Sequence, residues 1–377
     1  MSEDAIIAWT ESGRTCTAQW RSENAAKAPQ RVVVADDTLN ADTAYRLACE
    51  GTAMLWRGDF QNARQLLQAI RRRLDRKVAV KPDAVFPQAF HLYRQSQLQR
   101  ARIMGMLLIP LDAEYRIPLR RAPDVSLACI EAYGPAAQDS VVSLRELLGV
   151  IGAHEWRRNG VAIPALGGDT IHPHYGVFSP VRGEYLQLVA QAPLPQSTTA
   201  FDIGTGTGVI AALLARRGIS RVVATDTNPA AIACARENIQ RLGLTARVEI
   251  VDTDMFPPGK AGLIVCNPPW LPASANSVLD HAIYDPDSRM LKGFLGGLRQ
   301  HLEAGGEGWL ILSDLAEHLG LRTREDFLAW IAAAGLQVAA KTDIKPVHAK
   351  TREQADPLHA ARKAEVTSLW CLRAGGV

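Results

Sequence analysis

The second half of this 377-residue chain predicts an α/β domain built on a doubly wound, mainly parallel, Rossmann-like sheet, and the first half a mostly helical domain. Three observations predict it. Beyond residue 173, short apolar runs alternate with amphipathic stretches, the pattern of strand–helix–strand units. Before residue 160, apolar residues recur mainly at helical spacing. Between them lies the segment 164–173, with Gly167 and Gly168 adjacent, a loop by composition. Domains are therefore expected at 1–160 and 161–377.

In the first half, helices are expected at 41–55, 60–76 and 90–106, the second with Leu66, Ile70 and Leu74 on one face. A strand is expected at 106–111, a break at 118–123 with its prolines, and a connecting helix at 140–156 that ends near Gly160. In the second half, strands are expected at 199–203, 222–225, 248–251, 263–266 and 308–312. Two later runs, 336–342 and 366–373, bring the sheet to seven. Helices fall between them at 209–217 and 230–242, with Gly218 and Gly243 just past their ends.

Composition narrows the function classes. The chain is 47% hydrophobic and 21% charged, as globular domains are, and it has no apolar run of the length that spans a bilayer. Residues 1–15 lack a basic, then apolar, signal segment, so the cytoplasm is the expected compartment. The six cysteines form no CxxC pair, which favours reduced, buried thiols over disulfides or a zinc knuckle. His172 and His174 have metal-like spacing but no further ligands nearby, so a loop role is expected and no metal. Net charge is only +3, yet residues 57–130 hold 14 Lys and Arg against 6 Asp and Glu. That excess suits an acidic partner such as RNA, although Arg71–Arg73 also fit a solvated helix face.

The strongest motif is Asp202-Ile203-Gly204-Thr205-Gly206-Thr207-Gly208, between an expected strand and an expected helix. Glycines there allow tight turns and let the backbone approach a ligand, while the helix start offers unpaired N–H groups to an anion. Candidate cofactor-binding residues are Asp202, Gly204, Thr205, Gly206 and Gly208. Asp226, at the end of the next strand, is placed to take both ribose hydroxyls of a nucleoside. Asp254 follows the third strand and faces an adenine edge, with Met255 packing on the ring. Asn267-Pro268-Pro269-Trp270 ends the fourth. All lie at the carboxyl ends of successive strands, where open α/β sheets bind ligands.

In that order these motifs resemble the class I S-adenosylmethionine-dependent N-methyltransferases, and most closely the polypeptide release-factor glutamine methyltransferases. The likeness covers about residues 171–312 and includes the upstream run from His174 to Tyr185. It implies S-adenosylmethionine as cofactor, Asn267, Pro268 and Trp270 as the catalytic turn, and Asn267 also beside the cofactor. It further implies that Arg182, Glu184, Tyr185 and Trp270 contact substrate. The sequence departs from that family at Arg182-Gly183-Glu184-Tyr185 and in its much longer N-terminal region, which leaves the acceptor open between RNA, DNA and protein, with a small molecule less expected beside so large an extra region.

The turn suits the chemistry. An amide or aromatic amine nitrogen is a poor nucleophile because its lone pair is delocalised. Acceptors on its N–H bonds, here Asn267 Oδ1 and the Pro268 carbonyl, hold that lone pair toward a sulfonium methyl, and the prolines fix the turn. Trp270 is expected to stack on the planar target and exclude water. Positioning and electrostatics then carry catalysis, with no metal, covalent nucleophile or general base. The expected function is methyl transfer to an amide or exocyclic amino nitrogen of a macromolecule, RNA or protein. The alternative is a non-catalytic cofactor-binding module that keeps the fold.

Overall fold

The computed structural model describes residues 5–23, 26–77, 86–181, 183–275, 279–346 and 356–375. It forms two compact units, one of residues 1–84 and 88–155, the other of 85–87 and 156–377.

The first unit corrects the expectation of a mostly helical domain. Its elements run β1 (Ile6–Glu11), β2 (Arg14–Arg21), β3 (Arg31–Ala35), α1 (Ala41–Cys49), β4 (Thr52–Trp56), α2 (Phe60–Lys77), α3 (Gln88–Met104), β5 (Leu107–Leu111), α4 (Ser126–Tyr133), β6 (Ser140–Ser143) and α5 (Leu144–Asn159). The six strands make one mixed sheet in the order β1-β2-β6-β5-β4-β3, so the unit is α/β. Two expected helices are shorter than the periodicity suggested. Gly51, at φ +76°, stops α1, and the next five residues are a wholly buried strand. Likewise 140–143 is a buried strand, and only from Leu144 does the chain become helical. β1 and β2 join through Ser12 and Gly13, both at positive φ, a two-residue turn whose twist matches that of a hairpin. The expected helix face does hold: Leu66, Ile70 and Leu74 are buried.

The second unit begins with a small hairpin, β7 (Val161–Ala162) and β8 (Thr170–Ile171), then α6 (Glu184–Gln191). After it come β9 (Thr199–Ile203), α7 (Val209–Arg216), β10 (Arg221–Asp226), α8 (Pro229–Arg241), β11 (Val248–Asp252), β12 (Ala261–Cys266), α9 (Arg289–His301) and β13 (Leu302–Ser313). The chain closes with α10 (Leu315–His318), α11 (Arg324–Ala333), β14 (Leu336–Ile344), α12 (His359–Ala364) and β15 (Thr367–Ala374). The expected seven strands are present in the order β11-β10-β9-β12-β13-β15-β14. β15 alone is antiparallel to both of its neighbours.

Strand alternation builds the two cores. Leu263, Val265, Trp309 and Ile311 face one cluster, with α6 and α7; Ile264, Cys266, Leu310 and Leu312 face the other, with α9 and α11. A sheet covered on both faces must be apolar on both, which is why its strands read as continuous runs. In α7, every residue from Val209 to Ala215 is buried. Each fully buried leucine there stabilises the unit by about 1.5–3 kcal/mol. Among the described residues, no helix is long and apolar enough to cross a membrane.

Candidate functional site

β9 and β12 are neighbours, with Ile203 opposite Cys266, so the glycine loop and the Asn267 turn leave the sheet side by side. The sheet order reverses at this pair, which opens a crevice at the carboxyl ends of the strands.

The loop is held from behind. The Thr205 N–H donates to the Thr225 carbonyl at 2.8 Å, and its hydroxyl donates to Asp202 Oδ2 at 2.6 Å. The same oxygen accepts the Ala211 N–H at 3.0 Å, so Asp202 satisfies one of the orphan donors at the start of α7. Asp202 Oδ1 is buried and has no partner among the described residues. Burial pushes this carboxyl up to about 7 and the charge of Asp226 adds to the rise, against the two hydrogen bonds to Oδ2. Gly206, at φ +56°, has open space where a side chain would begin, so its backbone is accessible to a ligand. At Gly204 a Cβ would collide with Met290 Cε.

Asp226 ends β10 half-buried, accepting the Gly206 N–H at 3.0 Å and the Asn228 N–H at 2.9 Å. Asn228 in turn caps α8, ahead of Pro229. Thr225 donates its hydroxyl to the Met255 carbonyl at 2.6 Å, which ties the β11 exit to β10. Met255 adopts φ +64° and packs toward Gly293 of α9. Asp254 is exposed, 3.4 Å from Arg289.

At the end of β12, Pro268 is buried, and Asn267, Pro269 and Trp270 are half-buried. The Trp270 indole N–H donates to Asn267 Oδ1 at 3.0 Å. The Trp270 ring packs against both core clusters. The chain then returns to the turn: Leu271 N–H donates to the Ile283 carbonyl at 3.1 Å, and Asp285 N–H to the Leu271 carbonyl at 2.8 Å. The buried Asp285 carboxylate accepts the Met290 and Leu291 N–H groups at 3.0 and 3.2 Å. It thereby caps α9 and sets Met290 against Gly204. Periodicity gave no sign of this brace.

Upstream, Arg182 lies outside the described residues, and Glu184 is half-buried at the first position of α6. Tyr185 is only 6% exposed and belongs to the core, where the resemblance had it contacting substrate; its position on the buried stripe of α6 is the reason. Both histidines are engaged within the protein. His172 bonds the Arg157 carbonyl at 2.6 Å through Nδ1 and the Thr170 hydroxyl at 3.0 Å through Nε2. His174 Nε2 meets Glu237 at 2.7 Å. Burial raises the Glu237 carboxyl, but hydrogen bonds from Arg241, His174 and Arg157 prevail and bring it to about 2.

Sequence reasoning also missed Asn238, which is fully buried. Its Oδ1 accepts the His172 N–H at 2.8 Å, and its Nδ2 donates to the Thr207 carbonyl at 3.1 Å. It thus joins the segment entering the unit to the glycine loop. A signal existed: Asn238 stands on the apolar stripe of α8 with Ala231, Cys234 and Ala235, where a polar side chain has to find partners.

In the first unit the basic excess is partly spent internally. Arg57 pairs with Glu11, Arg73 with Asp42, Arg100 with Asp75, Arg116 with Asp112 and Arg121 with Asp59. Arg71, Arg72 and Arg76 are exposed on α2. All six cysteines are free thiols.

Residues 169–321 match the family model of the methyltransferase small domain. The chain is 37% identical over 130 residues to a release factor glutamine methyltransferase of Cereibacter sphaeroides, covering 34% of this chain and 43% of that protein. It is 29% identical over 200 residues to a tRNA1(Val) (adenine(37)-N6)-methyltransferase of Shewanella loihica, covering 49% of this chain and 79% of that protein. It spans about half the length of the release-factor methyltransferases it matches. A solved methyltransferase of Pyrococcus furiosus aligns with 62% of this chain and 99% of its own, at 18% identity and a TM-score of 0.42. The second unit carries the doubly wound, mainly parallel seven-stranded sheet expected from the sequence, and the small-domain match falls within it.

Proposed function

We propose that the second unit transfers a methyl group from S-adenosylmethionine to an amide or exocyclic amino nitrogen of a macromolecule. The observation that carries this reading is the pairing of Ile203 with Cys266, which sets the Asn267-Pro268-Pro269-Trp270 turn beside the glycine loop. The loop fits the cofactor: Gly206 is open, Asp226 lies at its edge, and the unpartnered Asp202 Oδ1 lies behind it. When bound, the cofactor supplies an electrophilic methyl on a cationic sulfur. Asp226 would hold the ribose hydroxyls, and Asp254 with Met255 would border the adenine.

Asn267 Oδ1 and the Pro268 carbonyl would accept the N–H bonds of the target and so hold its lone pair free for transfer. The buried Pro268 keeps the turn rigid, and Trp270 bars water. The nitrogen sheds its proton after transfer, so these residues hold and orient rather than deprotonate. Relatives named for glutamine and for adenine methylation carry the same type of acceptor, a planar nitrogen with a delocalised lone pair. We assign acceptor recognition to the first unit, with Arg71, Arg72 and Arg76 as its outward cations.

The test is to label a lysate of a strain lacking this gene with tritiated S-adenosylmethionine and the purified protein, then separate RNA, DNA and protein. Tritium in one macromolecular fraction is expected. Cofactor binding with no labelled fraction overturns transfer and leaves the non-catalytic module. Loss of labelling that steepens with salt identifies a nucleic-acid acceptor.

A further inference from the structure

We propose that Trp270 is a positioning residue: its indole N–H locks the Asn267 side-chain amide with the oxygen, not the nitrogen, presented to the reacting nitrogen. This rests on the reading of the 267–270 turn given above. Asparagine's terminal torsion is broad and nearly two-fold, so an unrestrained amide exchanges its oxygen and nitrogen at small cost. In the flipped state Nδ2 would meet the N–H of the target donor against donor. An indole can only donate, so the atom that faces Trp270 Nε1 at 3.0 Å has to be the amide oxygen. That oxygen has two lone pairs, and one remains for the target.

The donor is itself fixed. The Trp270 ring is half-buried and touches the core clusters on both faces of the sheet, so its N–H cannot swing away without disturbing them. Indole suits the task because its N–H lies on the ring nearer the backbone, within reach of a side chain three residues back. A tyrosine would carry its donor at the far tip of the ring. A phenylalanine would keep the packing and lose the donor.

The experiment places 3-benzothienylalanine at position 270 of the full chain, which exchanges the indole N–H for sulfur and keeps the two-ring shape. Trp270→Phe is the second variant and Asn267→Ala the control. Calorimetry with S-adenosylmethionine and thermal melting establish that each variant is folded and binds cofactor as the wild type does. Initial rates of tritium transfer are then measured into macromolecules of the deletion-strain lysate, at a series of lysate concentrations. We expect the saturating rate to fall about 10-fold in both Trp270 variants, the scale for a reacting group held slightly out of place. The lysate concentration at half-maximal rate should stay unchanged. Wild-type rates in both variants, with Asn267→Ala defective, overturn the positioning role and leave the proposed function standing. Wild-type rates in Asn267→Ala overturn both. A loss that appears only as weaker acceptor binding assigns Trp270 to stacking and overturns the lock.

Discussion

Gly206 and Asp226 are joined by a hydrogen bond of 3.0 Å from the glycine N–H to Oδ2, although 20 residues separate them. The carboxylate at the end of β10 therefore supports the loop at the end of β9, beside the ribose-binding role proposed for it. Asp226→Ala removes both roles, and its cost in S-adenosylmethionine affinity is expected at about 1.5–3 kcal/mol, the scale for hydrogen bonds to a charged group. Asp226→Asn, which retains an acceptor for Gly206, should cost less. Calorimetry measures both; equal affinity in Asp226→Ala would remove Asp226 from the cofactor site.

Asn267→Ala should leave cofactor affinity nearly unchanged and reduce methyl transfer by about 10²–10³-fold, the loss typical of one preorganised polar group in a closed site. Asn267→Asp keeps an acceptor for Trp270 and should retain part of the activity. Transfer into the labelled fraction, measured beside cofactor binding, checks both halves.

Asp202 gives the protein a pH dependence with a definite sign. Its carboxyl titrates near 7 in the folded protein against an ordinary value of 3.8. A raised folded value contributes stability that is complete below about 3.8 and declines to nothing as pH rises through about 7. A cationic ligand nearby favours the ionised form, so cofactor binding should release protons below neutrality and tighten as pH rises through that window. Calorimetry in buffers of different ionisation enthalpy counts the protons. In Asp202→Asn the release should vanish; if it persists, another group titrates.

Asn238→Leu strands the part-buried His172 N–H and the buried Thr207 carbonyl. At about 1–3 kcal/mol for each, a loss of roughly 2–6 kcal/mol is expected in urea unfolding. Cofactor affinity should fall too, because Thr207 belongs to the glycine loop. A fall in stability with untouched affinity would confine Asn238 to a structural role.

Much of the second unit was legible because its signals are local. Continuous apolar runs mark strands buried on both faces, Gly218 and Gly243 mark helix ends, and a glycine loop between strand and helix marks a ligand site. The first unit was less legible for an equally local reason. Its strands are short, and β1 and β2 together bury only Ile7, so they carry little apolar signal; Thr52–Leu55 continued a helical pattern across Gly51. Ser12-Gly13 and Gly51 were the readable stops.

Sequence alone determined the strands of the second unit, the residues at their carboxyl ends, and the chemistry those residue types allow. Only the tertiary structure decided which of them share a hydrogen bond. Trp270 with Asn267, Asn238 with Thr207 and His172, and Asp285 with the start of α9 are pairings of polar groups withdrawn from water. Such groups take whatever partner the packing brings within about 3 Å. Except for the Trp270 pair, those partners lie on other elements, and periodicity within one element carries no information about them.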